Sequence, residues 1–201
     1  NTVAIDPRSP GRVFVGTGCG EPQHLIRTMV EDLSMQDIMV YQMLSWTFSN
    51  YMDDPRFLRR FSLKLFFISN SMRQAAFDGK IDYIPTYLSQ IPRHFASHRI
   101  GLDVALVQVS PPDRFGYCSL GVSVDITRPG ALAAKVVIAQ VNPRMPQTRG
   151  DSFLHIDDID FVVEHEEPLI EALPLVKNSE IANRIGFYVS QLVDDGATLQ
   201  I

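Results

Sequence analysis

Five short polar stretches in this chain combine residue types that could hold a ligand. The first is Gly16-Thr17-Gly18-Cys19-Gly20-Glu21-Pro22-Gln23. Closely spaced glycines let a bound molecule approach the backbone, and the N–H groups opening the following helix could face an anion. A plain tight strand-to-helix turn has the same composition, and the spacing lacks the full dinucleotide fingerprint. The second and third are Ser110-Pro111-Pro112-Asp113-Arg114 and Asn142-Pro143-Arg144-Met145-Pro146. Both are proline-terminated loops that follow an apolar run. The fourth, Ser69-Asn70-Ser71, is small and polar. The fifth, Glu164-His165-Glu166-Glu167 before Pro168, pairs carboxylates that could do acid–base work, although a solvated strand end reads the same way. Two weaker patterns read as surface. His94 and His98 have helical i, i+4 spacing without a third ligand, and His155 and Asp157 would share one face of a strand.

Strands and helices must carry these stretches. Val104 to Val109 is an apolar run with a single Gln, the pattern of a strand buried on both faces of a parallel sheet. Lys135 to Val141 reads the same way. Prolines end both, because they cannot donate a ladder hydrogen bond. Two strands with the same ending suggest neighbours that deliver loops to one sheet edge, where ligands bind in open α/β folds. Further strands are expected at Arg12–Thr17 (after the turn signal Ser9-Pro10-Gly11), 37–44, 61–68, 117–124 and from Ala197 onward. Ile81 to Ser89 is broken by Pro85, and 153–163 is less regular. Helices are expected from Leu25 through Leu33, over 72–78 with Gly79 as a stop, and over 91–97 and 128–134. Residues 180–193 form another, with Ile181, Ile185, Tyr188, Val189 and Leu192 as its apolar stripe. Alternating β and α units imply an α/β domain: an open parallel or mixed sheet with helices on both faces.

Composition limits the function classes. The chain has 201 residues, 45% hydrophobic and 20% charged, as in a globular protein with a sizeable core. Its net charge of −5 comes from 23 acidic and 18 basic residues without a basic run, which argues against a nucleic-acid partner. No apolar run approaches the roughly 18 residues of a membrane span, and no signal peptide is visible. Cys19 and Cys118 lie far apart without metal-ligand spacing and read as cytoplasmic thiols.

Five stretches taken in order resemble the N-terminal half of the acetyl-CoA hydrolase/transferase family. They are Gly16 to Gln23, Val109-Ser110-Pro111-Pro112-Asp113, Gly116-Tyr117-Cys118-Ser119-Leu120-Gly121, Gln140 to Pro146, and Asp195-Gly196-Ala197-Thr198-Leu199-Gln200. The resemblance implies a CoA-transferase (NagB/RpiA-like) fold and residues 1–201 as an N-terminal domain. In this reading the chain is a fragment whose last strand begins near residue 197. The whole enzyme would have two similar α/β domains with the active site between them, and a homo-oligomer is expected.

The implied reaction moves CoA from an acyl-CoA to a small carboxylic acid through a glutamyl-CoA intermediate. No cofactor beyond the CoA thioester substrate is implied. The nucleophilic glutamate would lie in a C-terminal domain, so none of Glu21, Glu164, Glu166 or Glu167 is assigned that role, and the fragment alone is expected to be inactive. Substrate contacts fall by resemblance on Gly16, Gly18, Gly20 and Gln23, on Ser69, Asn70 and Ser71, on Pro85, Thr86 and Tyr87, and on Ser110, Pro111, Pro112 and Asp113. Two alternatives stay open. One is an acyl-CoA hydrolase, in which water replaces the acid. The other is a non-catalytic ligand-binding domain of the same fold, although loops so poor in Lys lack the phosphate-binding cluster of such sensors.

Overall fold

A computed structural model describes residues 11–172 and 179–199. Ser9 and Pro10 of the first turn signal, and Gln200 and Ile201 of the last expected strand, lie outside them. The chain divides into two compact units after Ile170.

The first unit is built on one seven-stranded sheet. Its strands are β1 (Gly11–Val15), β2 (Ile38–Gln42), β3 (Phe61–Leu65), β4 (Asp82–Tyr83), β5 (Leu102–Val109), β7 (Ala134–Val141) and β9 (Phe161–Glu164), in the spatial order β4-β3-β2-β1-β5-β7-β9. Every pairing in it is parallel. Two further strands, β6 (Tyr117–Ser119) and β8 (Phe153–His155), pair antiparallel as a separate ribbon.

Strand periodicity divides the core in two. Val13, Val15, Val104 and Leu106 point to one face, where they pack with helices α1 (Gln23–Glu31), α2 (Pro55–Arg60) and α3 (Arg73–Phe77). Phe14, Ala105, Val107 and Val109 point to the other, under α4 (Ile91–Ala96), α5 (Thr127–Ala133) and the ribbon. Both faces are therefore covered, as continuous apolar strands require. Leu25, Ile26, Met29 and Val30 recur at helical spacing in α1 and are all buried.

The second unit holds α6 (Glu180–Ser190), capped by Ser179, whose hydroxyl accepts from the Ala182 N–H at 3.0 Å. Its predicted stripe is amphipathic in pattern, yet Ile181, Ile185, Tyr188, Val189 and Leu192 are exposed within that unit. Ala197 to Leu199 make no strand pairing, so the strand expected there has no partner among the described residues. No described helix is long and apolar enough to cross a membrane.

Candidate functional site

Because the large sheet is wholly parallel, all seven carboxyl ends lie along one edge. From β1 the chain winds outward through β2, β3 and β4, then returns to β5 on the other side. The winding direction reverses between β1 and β5, which makes their carboxyl ends the topological switch point. The Gly16–Gln23 turn leaves β1 there and the Ser110 loop leaves β5 there. The Gly16 N–H donates to the Leu106 carbonyl at 2.8 Å and joins the two.

A belt of buried side chains crosses this edge. Gln108 of β5 and Gln140 of β7 are register partners. Gln108 Nε2 donates to the Glu21 carbonyl at 2.8 Å, while its Oε1 accepts from Gln140 Nε2 at 3.2 Å and Asn142 Nδ2 at 2.8 Å. Gln140 Nε2 also reaches Glu167 Oε1 at 2.7 Å, and Asn142 Nδ2 reaches the Glu167 carbonyl at 2.8 Å. On the β2 side, Gln42 Nε2 donates to the Gly16 carbonyl at 2.9 Å and to Glu21 Oε1 at 3.1 Å. Glu21, Gln42, Gln108, Gln140 and Asn142 are all buried. Polar groups are costly to bury without partners, and here all but Gln42 Oε1 find partners in one another or in the adjoining main chain.

The belt contains two carboxylates in different electrostatic settings. Glu21 has no exposed surface, and burial pushes its carboxyl up to about 7 against the hydrogen bonds it accepts. Its Oε1 accepts from the Trp46 N–H at 2.6 Å and its Oε2 from the Thr47 N–H at 2.8 Å. Burial also opposes ionisation of Glu167, but hydrogen bonds from Arg27 and Gln140 outweigh it and hold this carboxyl below its ordinary value. Arg27 Nη2 reaches Glu167 Oε2 at 2.6 Å. Helix α1 has no cap of its own. Glu167 Oε1 accepts from the His24 N–H at 2.9 Å, and Gln140 Oε1 accepts from His24 and Leu25 at 3.2 and 3.4 Å. The chain's own carboxylate thus occupies the anion position at the start of this helix. That corrects the reading of residues 164–167 as a solvated strand end. Glu164 and Glu166 are exposed, Glu166 beside Arg144, whereas Glu167 is built into the edge.

The predicted site residues take varied positions on this edge. Gly16, Gly18 and Gly20 are buried. Gly18 has φ +59°, and a Cβ on Gly20 would lie 2.7 Å from Ser123 Cβ, so the turn needs glycine for its bend and for the close approach of residues 121–124. Gln23 donates to the Pro168 carbonyl at 2.9 Å. Ser110 is buried and ties the loop back to the ribbon: its N–H donates to the Ser119 carbonyl and its Oγ accepts from the Ser119 N–H, both at 2.9 Å. Pro111 is partly exposed and Pro112 exposed. Asp113 is exposed and builds a turn by accepting from the Phe115 and Tyr117 N–H groups at 2.8 and 3.0 Å.

Beyond β3, Ser69 is buried, with its hydroxyl donating to the Ser45 carbonyl at 3.3 Å and lying 2.9 Å from Ser71 Oγ, while Asn70 and Ser71 are exposed. Pro85 and Tyr87 are exposed beyond β4, and Thr86 Oγ1 lies 3.3 Å from His94 Nε2. Four strand spacings separate that loop from Ser110, or about 19 Å. His98 follows the end of α4 with φ +54° and leaves the helical face it was expected to share with His94. His155 Nδ1 accepts from the Asp157 N–H at 3.2 Å and caps a short turn. Sequence reasoning missed the belt glutamines. The signal was the lone Gln in each of the apolar runs Val104 to Val109 and Val136 to Val141.

The family model for the acetyl-CoA hydrolase/transferase N-terminal domain matches residues 8–174. The chain belongs to this family. Among curated relatives, it is 39% identical over 191 residues to the 4-hydroxybutyrate coenzyme A transferase of Clostridium kluyveri, covering 94% of this chain and 44% of that protein. It is 36% identical over 192 residues to the succinyl-CoA:acetate/propanoyl-CoA:succinate CoA transferase of Fasciola hepatica, covering 94% of this chain and 39% of that protein. Of solved structures, RipA from Yersinia pestis superposes with a TM-score of 0.83 at 28% identity, over 94% of this chain and 46% of RipA. The 4-hydroxybutyrate CoA-transferase from Porphyromonas gingivalis gives 0.68 at 30%, over 94% and 43%. The chain therefore spans less than half the length of each of these proteins.

Proposed function

We propose that this chain forms one wall of the active site of a CoA-transferase that moves CoA from an acyl-CoA to a small carboxylic acid of the acetate, butyrate or 4-hydroxybutyrate class. The observation that carries this reading is the polar edge at the β1/β5 switch point, in a chain whose family relatives include several CoA transferases. The protein acts in the cytoplasm, as a homo-oligomer in its full-length form.

The nucleophile is a glutamate outside this chain. Its carboxylate attacks the thioester carbonyl, forms an acyl-glutamyl anhydride and releases CoA thiolate. The thiolate then attacks the glutamyl carbonyl, giving the glutamyl-CoA thioester and the free acid, and an acceptor acid reverses both steps. Covalent catalysis retains the thioester bond energy that water would discharge. The glutamates of this edge are already engaged. Glu21 accepts main-chain hydrogen bonds on both oxygens, and Glu167 is held by Arg27, Gln140 and the α1 N-terminus. The exposed hydroxyl of Ser71 and the hydroxyl of Thr86 orient the carboxylate without fixing its chain length, while the Gly16–Gln23 turn and Ser110–Asp113 line the same cleft.

Free CoA release from acetyl-CoA, measured on the full-length protein with and without butyrate, tests the reading. Butyryl-CoA formed only with both substrates is expected. CoA release independent of butyrate would make the protein a hydrolase, and no turnover in either arm would make it a binding protein. Ser71→Ala or Thr86→Ala should raise the butyrate KM, and an unchanged value would remove that residue from the site.

A further inference from the structure

The segment between β2 and β3 starts with Met43 to Trp46 and continues into a 3-10 turn, Thr47–Tyr51. A helical turn opens with N–H groups that lack internal acceptors, and this one has no side-chain cap of its own. Glu21 supplies both acceptors from a different loop, 25 and 26 residues away in sequence. The Met43 carbonyl is tied to the chain beyond β3 by the Phe67 N–H at 3.1 Å, whereas Ser45 Oγ and Trp46 Nε1 are buried without a hydrogen-bond partner among the described residues. A second tie between the two loops, from the Gly18 N–H to the Leu44 carbonyl at 3.0 Å, lies one residue before Ser45. The Ser45 carbonyl in turn seats the Ser69 hydroxyl, which meets Ser71 Oγ. A continuous path therefore runs from a buried carboxylate to an exposed hydroxyl at the sheet edge.

Resting on the transferase reading above, we infer that Glu21 is a positioning residue for the acceptor carboxylate: by holding the Trp46 and Thr47 amides it fixes the Ser45 carbonyl, and thereby the Ser69–Ser71 hydroxyl pair that meets the acid. Glu21 touches no substrate. Its effect is on geometry, so it belongs to acceptor recognition and not to the acyl-CoA side. Main-chain donors cannot rotate away from a lost acceptor, so the segment must shift when Glu21 is altered. Glutamine in its place keeps one acceptor oxygen but turns an NH2 group toward an amide donor.

The test is steady-state transfer from acetyl-CoA to butyrate by the full-length enzyme carrying Glu21→Gln, Ser69→Ala or both. Each single change should raise the butyrate KM roughly tenfold and leave the acetyl-CoA KM within about twofold. The double variant should be no worse than the weaker single, because both changes cut one path. Equal rises in both KM values, a fall in kcat with KM unchanged, or multiplied effects in the double variant would overturn the inference and leave Glu21 a support of the fold alone. If Glu21→Gln does not fold, Ser69→Ala decides the matter, and an unchanged butyrate KM overturns it. Absence of transfer by the unaltered enzyme would fail the transferase reading itself, and this control separates the two failures.

Discussion

Replacing Gln108 or Gln140 with leucine probes the polar belt at its centre. Gln108→Leu preserves volume and apolar packing but removes the acceptor of Gln140 Nε2 and of Asn142 Nδ2. Each amide keeps one partner on Glu167, so each is left with one unpaired buried N–H. The Glu21 carbonyl loses Gln108 but keeps the Gln23 N–H at 2.9 Å. Two orphaned donors at about 1–3 kcal/mol each, less roughly 1 kcal/mol regained by apolar burial, give a loss of about 1–5 kcal/mol. Gln140→Leu strips the Leu25 N–H and one donor to Glu167, at a similar cost. In the double variant the orphaned Gln140 donor no longer exists. The combined loss should therefore fall short of the sum by about 1–3 kcal/mol. Guanidinium unfolding midpoints of the four proteins, compared at a constant slope, read this coupling. Losses that add within about 0.5 kcal/mol would show that the two side chains do not share a hydrogen bond and would refute the belt as described.

Two further outcomes follow from the same edge. Gly20→Ala places a Cβ 2.7 Å from Ser123 Cβ, so it should cost about 1–3 kcal/mol, and Ser123→Gly in the same chain should restore most of that; thermal midpoints without such rescue would count against the close approach. Glu21 is neutral more readily in the fold than in the unfolded chain, because burial raises its carboxyl from 4.5 to about 7. Its contribution to stability is therefore full below about pH 4.5 and is lost as pH rises through 7, by ~3 kcal/mol in total. Between pH 5 and 8 the unaltered protein should lose stability relative to Glu21→Gln, and a constant difference across that range would refute the assignment.

Much of the sheet was legible because buried strands announce themselves. Val104 to Val109 and Lys135 to Val141 are apolar on both faces, end at prolines and pair directly as β5 and β7. The same apolar background marked Gln108 and Gln140, but a lone Gln says nothing about its partner until register puts the two side by side. Helix α2 was not foreseen, since six residues are too few for a hydrophobic period. Its signal was Asp54-Pro55, with the Asp54 carboxylate accepting from the Arg56 N–H at 2.8 Å. Glu167 was misread because charge runs are ordinarily solvated, and only the return of the chain after β9 brings it over the start of α1. Asp113, placed at a strand end by its sequence, builds the turn there, with its carboxylate accepting from the Phe115 and Tyr117 N–H groups.

The proposed division of labour has this chain shape the cleft while a glutamate elsewhere carries CoA. Mass spectrometry of the full-length protein after exposure to acetyl-CoA alone, followed by peptide mapping, tests it most directly. The expected result is a covalent adduct of CoA less one water on a glutamate outside residues 1–201. An adduct on Glu21, Glu164, Glu166 or Glu167 would contradict it.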